Sequence, residues 1–83
     1  MIESRQQVIG AFRAAATAFL QTPGVLTGMT LDDAAVTLKR YLLSESNDQA
    51  TASLLTRLPR LIRELDTAAV GELVAQLEGH LAD

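Results

Sequence analysis

The sequence predicts an all-α protein that folds as a compact bundle of four long helices. Apolar residues recur every three or four positions through most of the chain, which is the spacing of amphipathic helices. Two clusters of turn-forming residues, Thr22-Pro23-Gly24 and Ser44-Glu45-Ser46-Asn47, separate these stretches. The 83 residues are 48% hydrophobic, which suffices for one core and leaves no room for a second. We therefore expect a single domain over residues 1–83.

The first helix is predicted from Ser4 to Gln21, and the Thr22-Pro23-Gly24 cluster ends it. On one side of this helix, the small residues Gly10, Ala14 and Ala18 repeat every four positions, a spacing that lets a neighbouring helix approach closely. We expect both this face and the apolar arc to contact protein. Either the helix lies between two helices of its own chain, or the small-residue face forms a homodimer. The apolar arc consists of Val8, Ile9, Phe12, Ala15, Ala16, Phe19 and Leu20.

The second helix is predicted from Leu31 to about Leu43. Thr30 has the position of an N-cap, and Asp33 follows three residues later, where a carboxylate accepts from the free amides of the first turn. Residues 25–29 are expected to form a short helical turn or a plug over one end of the core. Val36 and Leu43 fall to one side of the inward stripe, on a flank that meets either another helix or the solvent. The inward stripe consists of Leu31, Ala35, Leu38 and Leu42.

The third helix is predicted to begin at about Asn47, with Asp48 at its positive end, and contains the clearest amphipathic stretch of the chain. Pro59 lies inside it and leaves two outcomes. The helix either bends at the proline and continues to Leu65, or it ends near Leu58 and a new helix starts with the proline. The apolar phase continues across the proline, which favours the bent helix. The other outcome, with a helical 25–29 segment, makes five or six helices. The apolar face consists of Leu54, Leu55, Leu58, Leu61, Ile62 and Leu65.

The last helix is predicted from Thr67 to about Leu81, with Asp66 as its N-cap. His80 lies near its end, where an imidazolium favours the negative terminus of a helix. The apolar stripe consists of Val70, Leu73, Val74, Leu77 and Leu81.

Three arginines, Arg57, Arg60 and Arg63, fall on the side of the third helix opposite to its apolar face. They form either a solvated face that pairs with acidic residues such as Glu64, or a docking stripe for an acidic partner protein. A helix-turn-helix that binds DNA is a further alternative, built from the second helix, the 44–47 break and the third helix. The net charge of −3 argues against it, because neutralising phosphates requires a local excess of Lys and Arg.

The chain offers little for catalysis or for a cofactor. It has no cysteine and one histidine, which removes thiolate chemistry and leaves zinc without its usual ligands. The paired carboxylates of Asp32 and Asp33 are explained by the predicted start of a helix. No glycine-rich loop has the spacing that cradles phosphates. We therefore expect no enzyme activity, no cofactor, no metal and no small-molecule substrate.

These observations favour a non-catalytic protein–protein interaction or adaptor module that binds either a different protein or a second copy of itself. One alternative is a death-fold-like recruitment domain in a signalling or defence assembly, by analogy of length and helix count alone. Another is a small helix-turn-helix regulator. The apolar run from Val8 to Leu20 is too short to span a bilayer and is interrupted by Arg13, so we expect no membrane contact and a cytoplasmic protein.

Overall fold

The computed structural model describes residues 4–81, and within this range the chain is helical and has no strand. A π-helical turn, Leu42–Ser46, prolongs the second helix. The helices enclose one hydrophobic core, so the predicted all-α bundle is confirmed. The single-domain prediction also covered residues 1–3 and 82–83, which lie outside the described residues. The five α-helices are α1 (Arg5–Gln21), α2 (Val25–Tyr41), α3 (Gln49–Leu55), α4 (Leu58–Arg63) and α5 (Thr67–Leu81).

Local capping defines both ends of α1. The backbone amide of Gln7 donates to the Ser4 hydroxyl at 3.1 Å, and the backbone amide of Ser4 donates to Gln7 Oε1 at 3.1 Å, which completes a capping box. At the other end, Thr22 leaves the helical region because it precedes Pro23. The predicted apolar arc packs on α2 and α5, with Leu20 alone of that set at the surface.

The second helix, α2, begins earlier than predicted. Thr30 is not an N-cap, because it lies inside the helix and its hydroxyl donates to the carbonyl four residues earlier at 3.0 Å. Residues 25–29 are helical, as one of the two predicted alternatives had it, but they form the start of α2 and not a separate turn or a plug. Gly28 does not break the helix, because it is buried where α2 meets α4. A methyl group built on Gly28 would lie 2.9 Å from Ile62 Cγ2, so the close approach requires glycine.

The chain reverses between α2 and α3 directly after the π-helical turn. Asn47 adopts a left-handed conformation with a φ of 50°, which Asn tolerates better than most residues. Asp48 then caps α3 as its predicted position implied. Its Oδ2 accepts from the Thr51 hydroxyl at 2.6 Å, and its Oδ1 accepts from the Thr51 amide at 3.1 Å. These two bonds, the hydroxyl first, hold the pKa of Asp48 below its ordinary value.

Pro59 divides the predicted third helix into α3 and α4, so the preferred single bent helix is wrong. A proline has no amide hydrogen and crowds the carbonyl four residues earlier, here that of Leu55, the last residue of α3. The amide of Arg57 instead donates to the Leu54 carbonyl at 3.2 Å, one residue nearer than an α-helix requires. Pro59 lies in the first turn of α4, where a missing amide leaves no hydrogen bond unmade.

Leu65 ends α4 in a left-handed conformation with a φ of 54°. The amide of Asp66 donates to the Leu61 carbonyl at 3.1 Å and the amide of Leu65 donates to the Ile62 carbonyl at 3.0 Å, which together make a Schellman motif. This reversal turns Leu65 away from the core, so its side chain is 50% exposed and its predicted place on the apolar face is wrong. Asp66 caps α5 as predicted, accepting from the Ala69 amide at 3.1 Å.

The core lies between α1, α2 and α5, with α3 and α4 covering one side. The inward stripe predicted for the second helix is buried in full, and the stripe of the last helix is buried apart from the half-buried Val74. From the third predicted helix, Leu55, Leu58 and Ile62 reach the core, while Leu54 and Leu61 pack at its edge. The largest fully buried apolar side chains are Phe12, Phe19, Leu31, Leu38, Leu42, Leu58, Leu77 and Val70.

Candidate protein-binding face

The small-residue face of α1 is exposed. Gly10, Ala14 and Ala18 all lie at the surface, and a methyl group built on Gly10 would meet no atom within 4 Å. The prediction that this face packs within the chain is therefore wrong. The helix does lie against two neighbours, α2 and α5, but it contacts them through its apolar arc. A homodimer through the small-residue face stays a prediction.

The three predicted arginines are also exposed, but the split of the helix distributes them over two elements. Arg57 lies in the turn before α4, whereas Arg60 and Arg63 lie on α4 itself. Arg60 forms an exposed ion pair with Glu64 at 3.4 Å, a contact of the kind that stabilises a helix by a few tenths of a kcal/mol, about 0.3 to 0.5. Arg63 has no ion pair within residues 4–81 and borders a groove between α2 and α4.

A third surface runs along α2 and into the π-helical turn that follows it, and was not among the predicted sites. Met29, Val36 and Leu43 are 60%, 52% and 43% exposed, and each is seven residues from the next. Seven residues are close to two helical turns, so the three side chains lie in one line about 21 Å long. We call these three residues the α2 stripe. Large apolar side chains that are exposed in line are typical of protein-binding surfaces, unlike single exposed ones.

Charged residues flank the α2 stripe in a fixed order. Asp32 and Asp33 lie between the first two apolar residues of the stripe, and Lys39 and Arg40 lie between the last two. The acids are seven residues from the bases, too far for the i, i+3 and i, i+4 pairs that join side chains along a helix. Within residues 4–81 none of these four side chains forms an ion pair. The face therefore carries an acidic half and a basic half, both unpaired.

A groove of about 390 Å³ opens between α2 and α4 beside the first residue of the stripe. Its position follows from the close contact of Gly28 with Ile62, which brings the two helices together below Met29. The exposed Leu65 forms part of its wall, held there by its left-handed backbone. The lining consists of Gly24, Val25, Gly28, Met29, Asp32, Pro59, Ile62, Arg63 and Leu65.

Among the described residues, only one buried polar side-chain atom has no hydrogen-bond partner, and it belongs to Asp32. Its Oδ1 is buried in the wall of the groove and accepts no hydrogen bond. Asp32 and Asp33 were predicted to lie at a helix start, where they would accept from free amides. That explanation is wrong, because α2 begins at Val25 and both carboxylates lie in its interior. A buried acceptor without a donor is unfavourable, so a donor that reached Asp32 would be bound favourably.

The remaining candidates form no site of their own. His80 is exposed in the last turn of α5. Among residues 4–81, no three His, Asp or Glu side chains lie together where they could hold a metal ion. No helix in the described range combines the length and apolar character needed to cross a membrane.

The sequence did contain a signal for the α2 stripe. Val36 and Leu43 were recognised as falling outside the inward stripe, but Met29 was assigned to a separate segment. The predicted second helix begins at Leu31, two residues after Met29. Met29 and Val36 were therefore not assigned to one helix surface, although they are seven residues apart. The error at the start of the helix therefore concealed the stripe.

Comparison of this chain with protein families, with curated proteins and with solved structures found no match.

Proposed function

We propose that this chain is a non-catalytic protein–protein interaction module that binds a helix of its partner along the α2 stripe. The observation that carries the proposal is the line of three exposed apolar side chains, Met29, Val36 and Leu43, flanked by unpaired charges of both signs. Covering apolar surface stabilises a complex by roughly 25 cal/mol per Å² before the costs of association are subtracted.

The shape of the face favours a helical partner. A straight apolar line with a spacing of seven residues is complementary to the apolar face of another amphipathic helix, whose side chains repeat at the same interval. The acidic half of the face favours basic residues on one part of the partner, and the basic half favours acidic residues on another. Arg63 borders the groove next to Met29 and adds a positive charge there, in keeping with a partner that also carries acidic residues.

Site-specific photo-crosslinking in cells that produce the protein tests this proposal. A benzophenone amino acid is introduced at Val36, and in separate variants at Ala14 on the small-residue face and at Arg60 on the arginine-bearing helix. All three positions are exposed, so each variant should fold. The proposal expects the Val36 variant to give the main cross-linked product, with the attachment site mapped by mass spectrometry to a helix.

The comparison between the three positions decides the result. If the products form equally from Ala14, Arg60 and Val36, the α2 stripe is not a specific binding face. If they form mainly from Ala14 or from Arg60, the binding face lies on α1 or on α4, and the proposal for α2 fails.

A further inference from the structure

We infer that the partner of the α2 stripe is a second copy of this chain, bound with its α2 antiparallel and with Val36 facing Val36 across a two-fold axis. This inference rests on the proposed function, because it names the occupant of the same face. It is carried by the order of charges along α2, which is self-complementary in one direction only.

Consider an antiparallel pair of α2 helices centred on Val36. A residue of one copy then has the same height, meaning the same position along the helix axis, as the residue of the other copy that lies equally far from Val36 in the opposite direction. Met29 of one copy then lies opposite Leu43 of the other, so all three apolar residues of each stripe are covered. Asp32 lies within about 1.5 Å in height of Lys39 of the second copy, and Asp33 lies equally close in height to Arg40 of the second copy. The axis duplicates both pairs, so four opposite-charge contacts surround the apolar centre.

The burial of these side chains is consistent with this pairing. Asp32 and Lys39 are both half-buried on the edge of the stripe that faces the bundle, whereas Asp33 and Arg40 are both exposed on the outer edge. A two-fold axis perpendicular to the helices keeps each edge against the same edge of the second copy. Each acidic residue therefore lies beside the basic residue on the same edge of the second copy, and neither side chain has to cross the apolar line.

A parallel pair has the opposite result. It would place Asp32 and Asp33 beside the same acids of the second copy, and Lys39 and Arg40 beside the same bases. Like charges that face each other across an interface oppose association. The antiparallel arrangement is therefore the one that satisfies both the apolar line and the charges.

The same arrangement brings a side chain to the groove. Leu43 of the second copy lies beside Met29, at the mouth of the groove between α2 and α4. By symmetry, Met29 of the second copy lies beside Leu43 and Ser44 on the other half of the face, where a shallow depression is also lined by Lys39 and Arg40. Because the interface is built mainly from one helix of each copy, we expect a dimer that forms and dissociates with concentration.

Sedimentation equilibrium over a range of about 10 µM to 1 mM measures this association. The wild type is expected to rise from the monomer mass of 8.9 kDa toward twice that value. Val36→Glu places two carboxylates together on the axis and is expected to weaken the dimer by about tenfold or more. Ala75→Glu is the control, because Ala75 is exposed on α5, away from the stripe, and it should leave the dissociation constant unchanged. A wild type that stays monomeric, or equal effects of both variants, overturns the inference.

Charge exchange gives an independent result. Asp32→Lys with Asp33→Lys makes the face entirely basic, and Lys39→Glu with Arg40→Glu makes it entirely acidic. Each double variant alone is expected to be monomeric, and an equal mixture of the two is expected to form the heterodimer. Because all four side chains lie at or near the surface, both variants should retain the helical circular dichroism of the wild type. Either variant dimerising on its own as well as the wild type contradicts the inference.

The direction of the pair is tested by disulfide formation, since the chain has no cysteine of its own. Val36→Cys is expected to form a disulfide-linked dimer on oxidation. Met29→Cys alone is not, because its two copies lie about 21 Å apart along the pair. A mixture of Met29→Cys and Leu43→Cys is expected to give a mixed disulfide. A parallel pair would link Met29→Cys to itself, which overturns the antiparallel arrangement.

These results separate failure of the inference from failure of the proposed function. A monomeric wild type whose Val36 cross-links to the helix of a different protein excludes the second copy and leaves the α2 stripe as a binding face. A wild type that neither dimerises nor cross-links from Val36 more than from Ala14 or Arg60 excludes both.

Discussion

Replacement of two helical glycines by alanine is expected to have opposite effects on stability. Gly10→Ala should stabilise the protein, because Gly10 lies inside α1 and a methyl group there meets no atom within 4 Å. Alanine in an exposed helix interior is favoured over glycine by up to about 1 kcal/mol, partly because it restricts the unfolded chain. We therefore expect a gain of about 0.5 to 1 kcal/mol in the free energy of unfolding.

Gly28→Ala has the same intrinsic advantage but meets a steric obstacle. Its methyl group would lie 2.9 Å from Ile62 Cγ2 and 3.6 Å from Phe19 Cε1. The Cγ2 methyl is attached directly to the Cβ of a β-branched residue with a stiff χ1, so it cannot move aside without a shift of α4. Such overpacking costs about 1 to 3 kcal/mol. After subtraction of the helical gain, a net loss of about 1 kcal/mol is expected.

Urea unfolding of the wild type and both variants, followed by circular dichroism at 222 nm, gives the free energies by linear extrapolation. The two substitutions are chemically identical, so each is the control of the other. An equal gain in the free energy of unfolding for Gly28→Ala and Gly10→Ala would refute the close approach of α2 to α4. It would also refute the position of the groove, which follows from that approach. A difference in stability between Gly10→Ala and the wild type that changes with protein concentration would instead support the dimer through α1.

Three further predictions test other features of the fold. The pKa of Asp48 is lowered in the folded protein, so its carboxylate stabilises the fold above an unfolded pKa of about 3.8, and this stabilisation is lost as the pH falls through the folded pKa. In urea unfolding between about pH 6 and pH 2.5, Asp48→Asn should therefore lose less stability than the wild type. An equal loss would contradict the bonds from Thr51. Leu65→Gly relieves the strain of the left-handed backbone and should raise the free energy of unfolding by about 0.5 kcal/mol or more. Leu65→Ala keeps the strain and should give no such gain, so equal free energies of unfolding for the two variants would show that the backbone at Leu65 is not strained. Leu58→Ala should lower the free energy of unfolding by about 3 kcal/mol and Leu61→Ala by clearly less, because Leu58 is fully buried and Leu61 lies at the edge of the core. A larger loss for Leu61→Ala than for Leu58→Ala would show that the core is misplaced.

The features that depend on neighbouring residues in the sequence could be predicted. The caps at Asp48 and Asp66 and the inward stripe of α5 follow from the types and spacing of nearby residues, and all are present. The end of α1 likewise follows from Pro23, which restricts the residue before it. Such signals act over one or two turns, so no knowledge of the packing is needed.

The features that were missed depend on how one helix meets another, in space for Gly28 and along the chain for Leu65. Gly28 resembles a helix breaker in the sequence, yet it is retained inside α2 because Ile62 of α4 packs against it. Leu65 continues the apolar phase of its helix, but the reversal into α5 turns its side chain to the surface. Neither residue carries a local mark of these contacts.

The candidate site was missed for the same reason. The arginines and the small residues of α1 were predicted as sites from their spacing on a helix, and all of them lie on the surface. Whether the flank at Val36 and Leu43 meets another helix depends on where α4 packs, which the spacing along α2 does not reveal. Once Met29 is placed on the same helix, the line of three becomes evident.

Concentration-dependent amide chemical shifts test the central claim most directly. Proton–nitrogen correlation spectra recorded between about 10 µM and 1 mM report which residues change environment as the chain associates. The account predicts shifts along the α2 stripe, at the adjacent Asp32, Asp33, Lys39 and Arg40, and around the groove mouth. Spectra that do not change with concentration, or shifts confined to Gly10, Ala14 and Ala18 of α1, would contradict it.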